Sequence, residues 1–156
     1  MIVLVAALHA ALTVSFPSAL AAGANEQGSH DPRAPAQLVL DDRMGALFRL
    51  EEVNVHLDGR AIDTPPVSPR SAQVLFDEEL SIGRHDLSVH LVYAGEGEGM
   101  TSYLNDYLFD VYRLIAFEVR EPGTVVTLVA DESGGLTTEL SDQPSLKYRV
   151  DDMPQP

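Results

Sequence analysis

The side chains best suited to chemistry in this chain are its histidines, three runs of carboxylates and one loop of alternating glycine and glutamate. His9 and His30 lie in the N-terminal stretch, which leaves His56, His85 and His90 for a folded domain. His85 and His90 belong to one predicted strand and, five positions apart, face opposite sides, so they cannot share a metal without a bend. His56 and His90 fall at outward positions and meet only if their strands pair. A zinc site needs three or four converging ligands, so both read as solvent-facing and no metal is expected. The one acid–base pairing open to a hydrolase is His85 with Asp86 or His56. No Gly-x-Ser-x-Gly, His-Glu-x-x-His or Gly-x-x-x-x-Gly-Lys sequence occurs, and no cofactor is implied. The expectation is a protein without catalytic activity, with an undetected hydrolase as the alternative.

Asp41-Asp42, Asp77-Glu78-Glu79 and Asp131-Glu132 fall at predicted strand ends, where extracellular β-proteins bind calcium through hard oxygen ligands. Their spacing is not that of an EF-hand, and acidic turns are ordinary in a soluble acidic domain. Asp77, Glu78, Glu79, Asp131 and Glu132 are thus the ligands of a second alternative, a calcium-stiffened adhesion module. The segment from Gly95 to Tyr107 is more singular. Its Gly95-Glu96-Gly97-Glu98-Gly99 run predicts a mobile, acidic loop, with Met100, Tyr103 and Tyr107 beside it. If exposed, the rings make a platform for a carbohydrate or protein partner, because they offer contact area at little rotamer cost. Met100, Tyr103, Tyr107, Glu96 and Glu98 would then be the binding residues. The burial tendency of aromatics favours the opposite expectation, that Tyr103 and Tyr107 cap the core over a long hairpin connection.

Charge narrows the partners. The 156 residues carry 10 Lys and Arg against 24 Asp and Glu, a formal net charge of -14. Such a chain repels phosphate backbones and anionic lipid, so nucleic acid is excluded as a partner. Without a single Cys it has no disulfide, thiolate or Cys-linked lipid.

The elements that must position these residues begin after a targeting segment. Residues 1–21 hold no charged side chain, are nearly all apolar as far as Val14, and end in Ala19-Leu20-Ala21 after Pro17, which predicts a signal peptide cleaved after Ala21. The missing positive n-region fits a start codon set too far downstream, and an uncleaved anchor is the alternative. Cleavage implies a periplasmic or extracellular protein with no integral membrane span. Residues 22–36, with Gly23, Gly28, Pro32 and Pro35, read as a disordered leader, residues 37–151 as the domain and 152–156 as a tail.

Within the domain, period-two alternation dominates. Residues 37–40 make a short strand. Phe48 and Leu50 alternate on one parity and Val53, Val55 and Leu57 on the other, which requires an extra residue near Glu51 and Glu52. Asp58-Gly59 signals a hairpin. Pro65, Pro66 and Pro69 make residues 64–70 a loop or a crossing between sheets. Val74 and Phe76 start a short strand that the acidic run ends before a turn at Gly83. Leu87, Val89, Leu91 and Tyr93 face one side of the clearest strand, and Tyr107, Phe109, Val111, Ile115, Phe117 and Val119 share a parity in the next. A helical turn fits only within residues 103–108. Pro122-Gly123 turns the chain, residues 125–130 form a buried strand, Gly134-Gly135 turns it again, and Leu146, Tyr148 and Val150 alternate last. Seven or eight short strands without a helical period predict an all-β antiparallel β-sandwich, Ig-like or PEGA-like.

Two stretches carry family resemblances. Residues 53–62, ending in Asp58-Gly59-Arg60-Ala61-Ile62, followed by Gly83-Arg84-His85 and the alternating Leu87 and Val89, resemble PEGA-type surface β-domains, which repeat a strand ending in Asp-Gly and then Gly-x-His before a strand. Residues 95–104, Tyr107, Phe109 and residues 134–138 are similar to an uncharacterised secreted β-sandwich family of myxobacteria and relatives, sometimes labelled dihydrolipoamide acetyltransferase. The label finds no support in the residues. A lipoyl domain presents its Lys at a hairpin tip, whereas Lys147 here lies inside a strand pattern, and no acyltransferase His motif occurs. The resemblance implies a compartment and a fold. Together these readings predict a non-catalytic, secreted binding or structural module of the cell envelope. Its partner would be an envelope protein or a cell-wall glycan, met at a sheet edge or the glycine loop.

Overall fold

A computed structural model describes residues 31–134, 138–139 and 142–154. Residues 1–30, with the expected signal peptide and most of the leader, lie outside the described residues, as do Gly135 and the two positions after it in the second resemblance. The described chain runs β1 (Arg33–Asp42), β2 (Phe48–Leu57), β3 (Arg60–Ile62), β4 (Ala72–Ser81), β5 (Gly83–Gly95), a 3₁₀ helix (Gly99–Asp106), β6 (Leu108–Val119), β7 (Thr124–Glu132) and β8 (Pro144–Asp152). Two four-stranded sheets result, β4-β1-β7-β8 and β3-β2-β5-β6, and their facing sides enclose one core. This is the all-β sandwich that the alternation predicts.

The register follows from the side chains. In β5, Leu87, Val89, Leu91 and Tyr93 are buried, and in β6 so are Phe109, Val111, Ile115, Phe117 and Val119, because period two keeps one parity inward. In β2 the ladder skips between Leu50 and Glu52, making Glu51 the extra residue that restores the inward parity. Asp58 (φ 50°) and Gly59 (φ 77°) form the left-handed pair of the β2–β3 hairpin. The proline-rich segment after β3 carries the chain across to β4 in the other sheet.

Several expectations need correction. β1 begins at Arg33, within the expected leader, and its Ala34 and Ala36 are buried core residues. Apolar content had hidden this, since small alanines and Pro35 read as linker. β8 likewise extends to Asp152. The acidic run does not end β4. Asp77, Glu78 and Glu79 continue it, opposite Gln37, Ala36 and Pro35 of β1. One pairing, β1 with β7, is parallel, because the β1 end carries the chain to the opposite sheet and β7 returns by a cross-sheet connection at Pro122-Gly123.

Edges are blunted in different ways. Edge strand β3 is three residues long, β4 carries the acidic run, and β8 carries Lys147, Arg149, Asp151 and Asp152. The side of β6 is flanked by β8 through the Arg113 guanidinium, 5.8 Å from the centre of the Tyr148 ring.

The ends of the sandwich are joined by buried polar groups. Asp42, at the end of β1, is 4% exposed; it accepts hydrogen bonds from the amides of Met44 (3.3 Å) and Arg70 (2.7 Å) and from the Tyr93 hydroxyl of β5 (3.1 Å). Burial first, and then the Asp42 charge, push the Tyr93 phenol far up from its ordinary value, so it stays protonated as the donor. Asp42→Ala leaves three donors without their acceptor and is expected to cost about 3 kcal/mol in urea denaturation, whereas Asp41→Ala, whose partner Arg43 is exposed, costs under about 1 kcal/mol.

Candidate functional site

The Asp-Gly and Gly-x-His elements of the sequence come together in the folded chain. His85 is buried, its Nδ1 2.7 Å from Asp58 Oδ2 and its Nε2 2.8 Å from the Ser81 carbonyl, while Asp58 Oδ1 accepts the Asp86 amide at 2.9 Å. The left-handed turn at Asp58 is what aims its carboxylate back at β5. Ser81 Oγ stands 3.4 Å from the same Nε2, so Ser81, His85 and Asp58 superficially form a nucleophile, base and acid in series. The chemistry does not follow. Nε2 lies nearer the Ser81 carbonyl (2.8 Å) than the Ser81 hydroxyl (3.4 Å), and a proton donated to that carbonyl leaves this nitrogen no lone pair to draw a proton from the serine. The arrangement ties the β2–β3 hairpin to β5. The expected pairings of His85 with Asp86 or His56 are not formed: Asp86 offers its backbone, and His56 faces the opposite side of the sheet.

The acidic candidates are spread apart. Asp77 accepts from Gln37 (3.2 Å), Asp131 holds Ser145 and Lys147 (3.0 Å each), and Glu132 accepts the Gly45 amide (3.0 Å). Asp77, Glu78 and Glu79 lie at one end of their sheet and Asp131 and Glu132 at the other, so they form no common ligand set. Among the described residues no three carboxylate or imidazole groups converge as a metal site.

The glycine loop packs closely against the 3₁₀ helix that follows it. A Cβ on Gly95 would lie 2.1 Å from the Leu104 carbonyl oxygen, and one on Gly97 2.0 Å from that of Thr101, so these glycines permit close backbone approach. Asn105 clasps Gly97 through both its amide and its carbonyl (2.7 and 3.2 Å). Glu96 is held by Arg70 at 2.6 Å and flanked by Arg49 at 3.6 Å, whereas Glu98 is exposed at the start of the helix. Leu104 alone enters the core. Tyr103 (56%) and Tyr107 (57%) are exposed, as is Met100 (96%), so the tyrosines do not cap the core.

Sequence reasoning placed His56 and His90 outward but not the rest of the outer face of the β3-β2-β5-β6 sheet. The registers set Asn54 opposite His90 and His90 opposite Tyr112 in one row across the strands, and His56 opposite Ser88 and Ser88 opposite Leu114 in the next. His56 and His90 therefore do share a face. Two adjoining shallow grooves of about 630 and 580 Å³ run over these rows, sharing His56, Gly59, Ser88 and Tyr112. Asp110 binds His90 Nε2 at 2.7 Å and so fixes the imidazole 6.3 Å from the Tyr112 ring. Tyr112 (63%) and Leu114 (69%) remain largely exposed. A signal for this face was present: the parity of β6 opposite the core set holds Leu108, Tyr112 and Leu114 where a purely solvated face would be polar.

The chain matches no protein-family model, no curated protein and no solved structure. The site must be read from its own geometry. Among the described residues no helix is long and apolar enough to cross a membrane.

The His85–Asp58 tie carries a pH dependence. Burial depresses the His85 pKa, but the Ser81 carbonyl and the Asp58 carboxylate outweigh it, and the net shift is upward. For Asp58, burial acts upward, and the Asp86 amide and His85 together overcome it, leaving the net shift downward. A raised histidine stabilises the fold fully below its unfolded pKa and loses that contribution as pH rises through the folded value; the lowered Asp58 loses its contribution as pH falls through its own. The pair is therefore worth most between about pH 4 and 6.5. His85→Gln is expected to lower the urea midpoint more at about pH 5.5 than at about pH 8.5, and an equal loss at both would contradict the charged tie.

Proposed function

We propose that this chain is a non-catalytic binding module of the cell envelope, and that it meets its partner through the outer face of the β2-β5-β6 strands. The observation that carries this reading is the groove over Asn54, His56, Ser88, His90 and Tyr112, built from side chains that the core does not use. An aromatic ring and hydrogen-bonding groups gathered on a rigid sheet suit recognition, because their positions are set by the ladder before any ligand arrives. The lack of catalytic motifs and the engagement of both His85 ring nitrogens by Asp58 and the Ser81 carbonyl favour binding over turnover. The apolar N-terminal segment and the resemblance to secreted β-sandwich proteins support a periplasmic or extracellular location, after cleavage near Ala21.

A second reading rests on the exposure of Met100, Tyr103 and Tyr107 around the clasped 3₁₀ helix, which suits a protein partner. Co-sedimentation with isolated cell envelopes separates the two. Tyr112→Ala is expected to reduce pelleting at least about tenfold while Tyr103→Ala leaves it unchanged, since losing a central ring removes about 1.4 kcal/mol or more. Loss on Tyr103→Ala alone would move the site to the helix, and no pelleting of the wild type would overturn both.

A further inference from the structure

We infer that the ligand of this sheet face is an uncharged carbohydrate chain, stacked on Tyr112 and held by hydrogen bonds from β2, β5 and β6. This rests on the reading of the face as the binding surface and names what it binds.

The polar atoms of the face are of one kind. The Asn54 amide, the Ser88 hydroxyl, the His56 ring and the Tyr112 hydroxyl make no side-chain hydrogen bond within the described residues, and His90 Nδ1 and Asp110 Oδ2 are left over from the pair that His90 Nε2 and Asp110 Oδ1 form. They include both donors and acceptors at close spacing, which is what vicinal hydroxyl groups require. Tyr112 and Leu114 add the apolar patch against which a sugar ring lays its C–H face.

Charge argues against an anionic ligand. The one guanidinium lining the grooves, Arg84, lies 3.6 Å from Asp86, and His90 is engaged by Asp110, so neither is free to receive an anion. A net charge of -14 further repels phosphorylated or uronic polymers. An extended peptide would seek backbone partners along the free edge of β6, whereas the grooves lie on the outer face over β2, β5 and β6 and offer side chains rather than strand backbone. From β2 to β6 the face is about 10 Å across, and from Asp110 to Ala116 it is about 20 Å long, a span that admits several sugar rings in a row.

The test is titration calorimetry of the purified protein with chitohexaose and cellohexaose, with heparin and poly-lysine as charged probes. Saturable binding of at least one neutral oligosaccharide is expected, changing less than about twofold between low and high salt, with affinity reduced at least tenfold, about 1.4 kcal/mol, by Tyr112→Ala and by His90→Ala. Both side chains are at least partly exposed, and an unchanged urea midpoint confirms that the variants are folded. Neutral-sugar binding that survives Tyr112→Ala, or binding only to heparin or poly-lysine, would overturn the inference. So would envelope pelleting that depends on Tyr112 without any oligosaccharide binding, which would leave the face as the binding surface and remove the carbohydrate.

Discussion

Asp42 is a carboxylate withdrawn from water at the end of β1, and donors from three separate segments converge on it. A buried carboxylate survives only where its acceptors are filled, so the positions of Met44, Arg70 and Tyr93 are fixed by one another. Tyr93 belongs to the opposite sheet, which makes Asp42 a polar tie across an otherwise apolar core. Arg70 carries the constraint further. Its amide binds Asp42 while its guanidinium reaches the carbonyls of Ala46 and Phe48 and the carboxylate of Glu96, so the crossing loop and the glycine loop are both anchored at this end. At the far end Asp58 and His85 bind the β2–β3 hairpin to β5. With both ends held and the inner faces filled, the outer rows of β2, β5 and β6 are left without a structural task. Surface that stability does not need is where recognition can reside.

The glycine loop and the sheet face illustrate two ways of presenting side chains. Gly95 and Gly97 are required because the helix backbone presses against them, and the Asn105 clasp then fixes the loop without any core contact beyond Leu104. The Glu96 carboxylate, a binding candidate by sequence, is occupied by Arg70. On the sheet, the ladder itself sets the spacing, and of the side chains lining the grooves the His90–Asp110 and Arg84–Asp86 pairs are engaged within the described residues. The face therefore keeps more unfilled hydrogen-bonding capacity than the loop does.

Much of this was legible in the chain. The parity switch around Glu51, the Asp58-Gly59 hairpin, the prolines of the crossing and the alternation from Leu87 to Tyr93 each correspond to a local rule, and each is found in place. What sequence could not supply is non-local. Ala34 and Ala36 look like linker until β4 and β7 close over them, and Asp77-Glu78-Glu79 look like a turn until β1 pairs beside them. The contact of His85 with Asp58 spans 27 positions, so no spacing rule reveals it, although both residues were singled out as parts of motifs. Tyr112 lies on the parity opposite the inward set of β6, so its outward position was open to the sequence; what was not is the row it forms with His90 and Asn54, which only the registers on both sides of β5 bring together.

The central claim is that recognition occurs on the outer face of the β2, β5 and β6 strands. The most direct measurement is backbone-amide chemical-shift mapping of the labelled protein during titration with solubilised cell-wall glycan. Perturbed amides clustered around His56, Ser88, His90, Tyr112 and Leu114, with residues 99–106 unaffected, are the predicted result. Perturbations centred on residues 99–106, or none at saturating glycan, would contradict it.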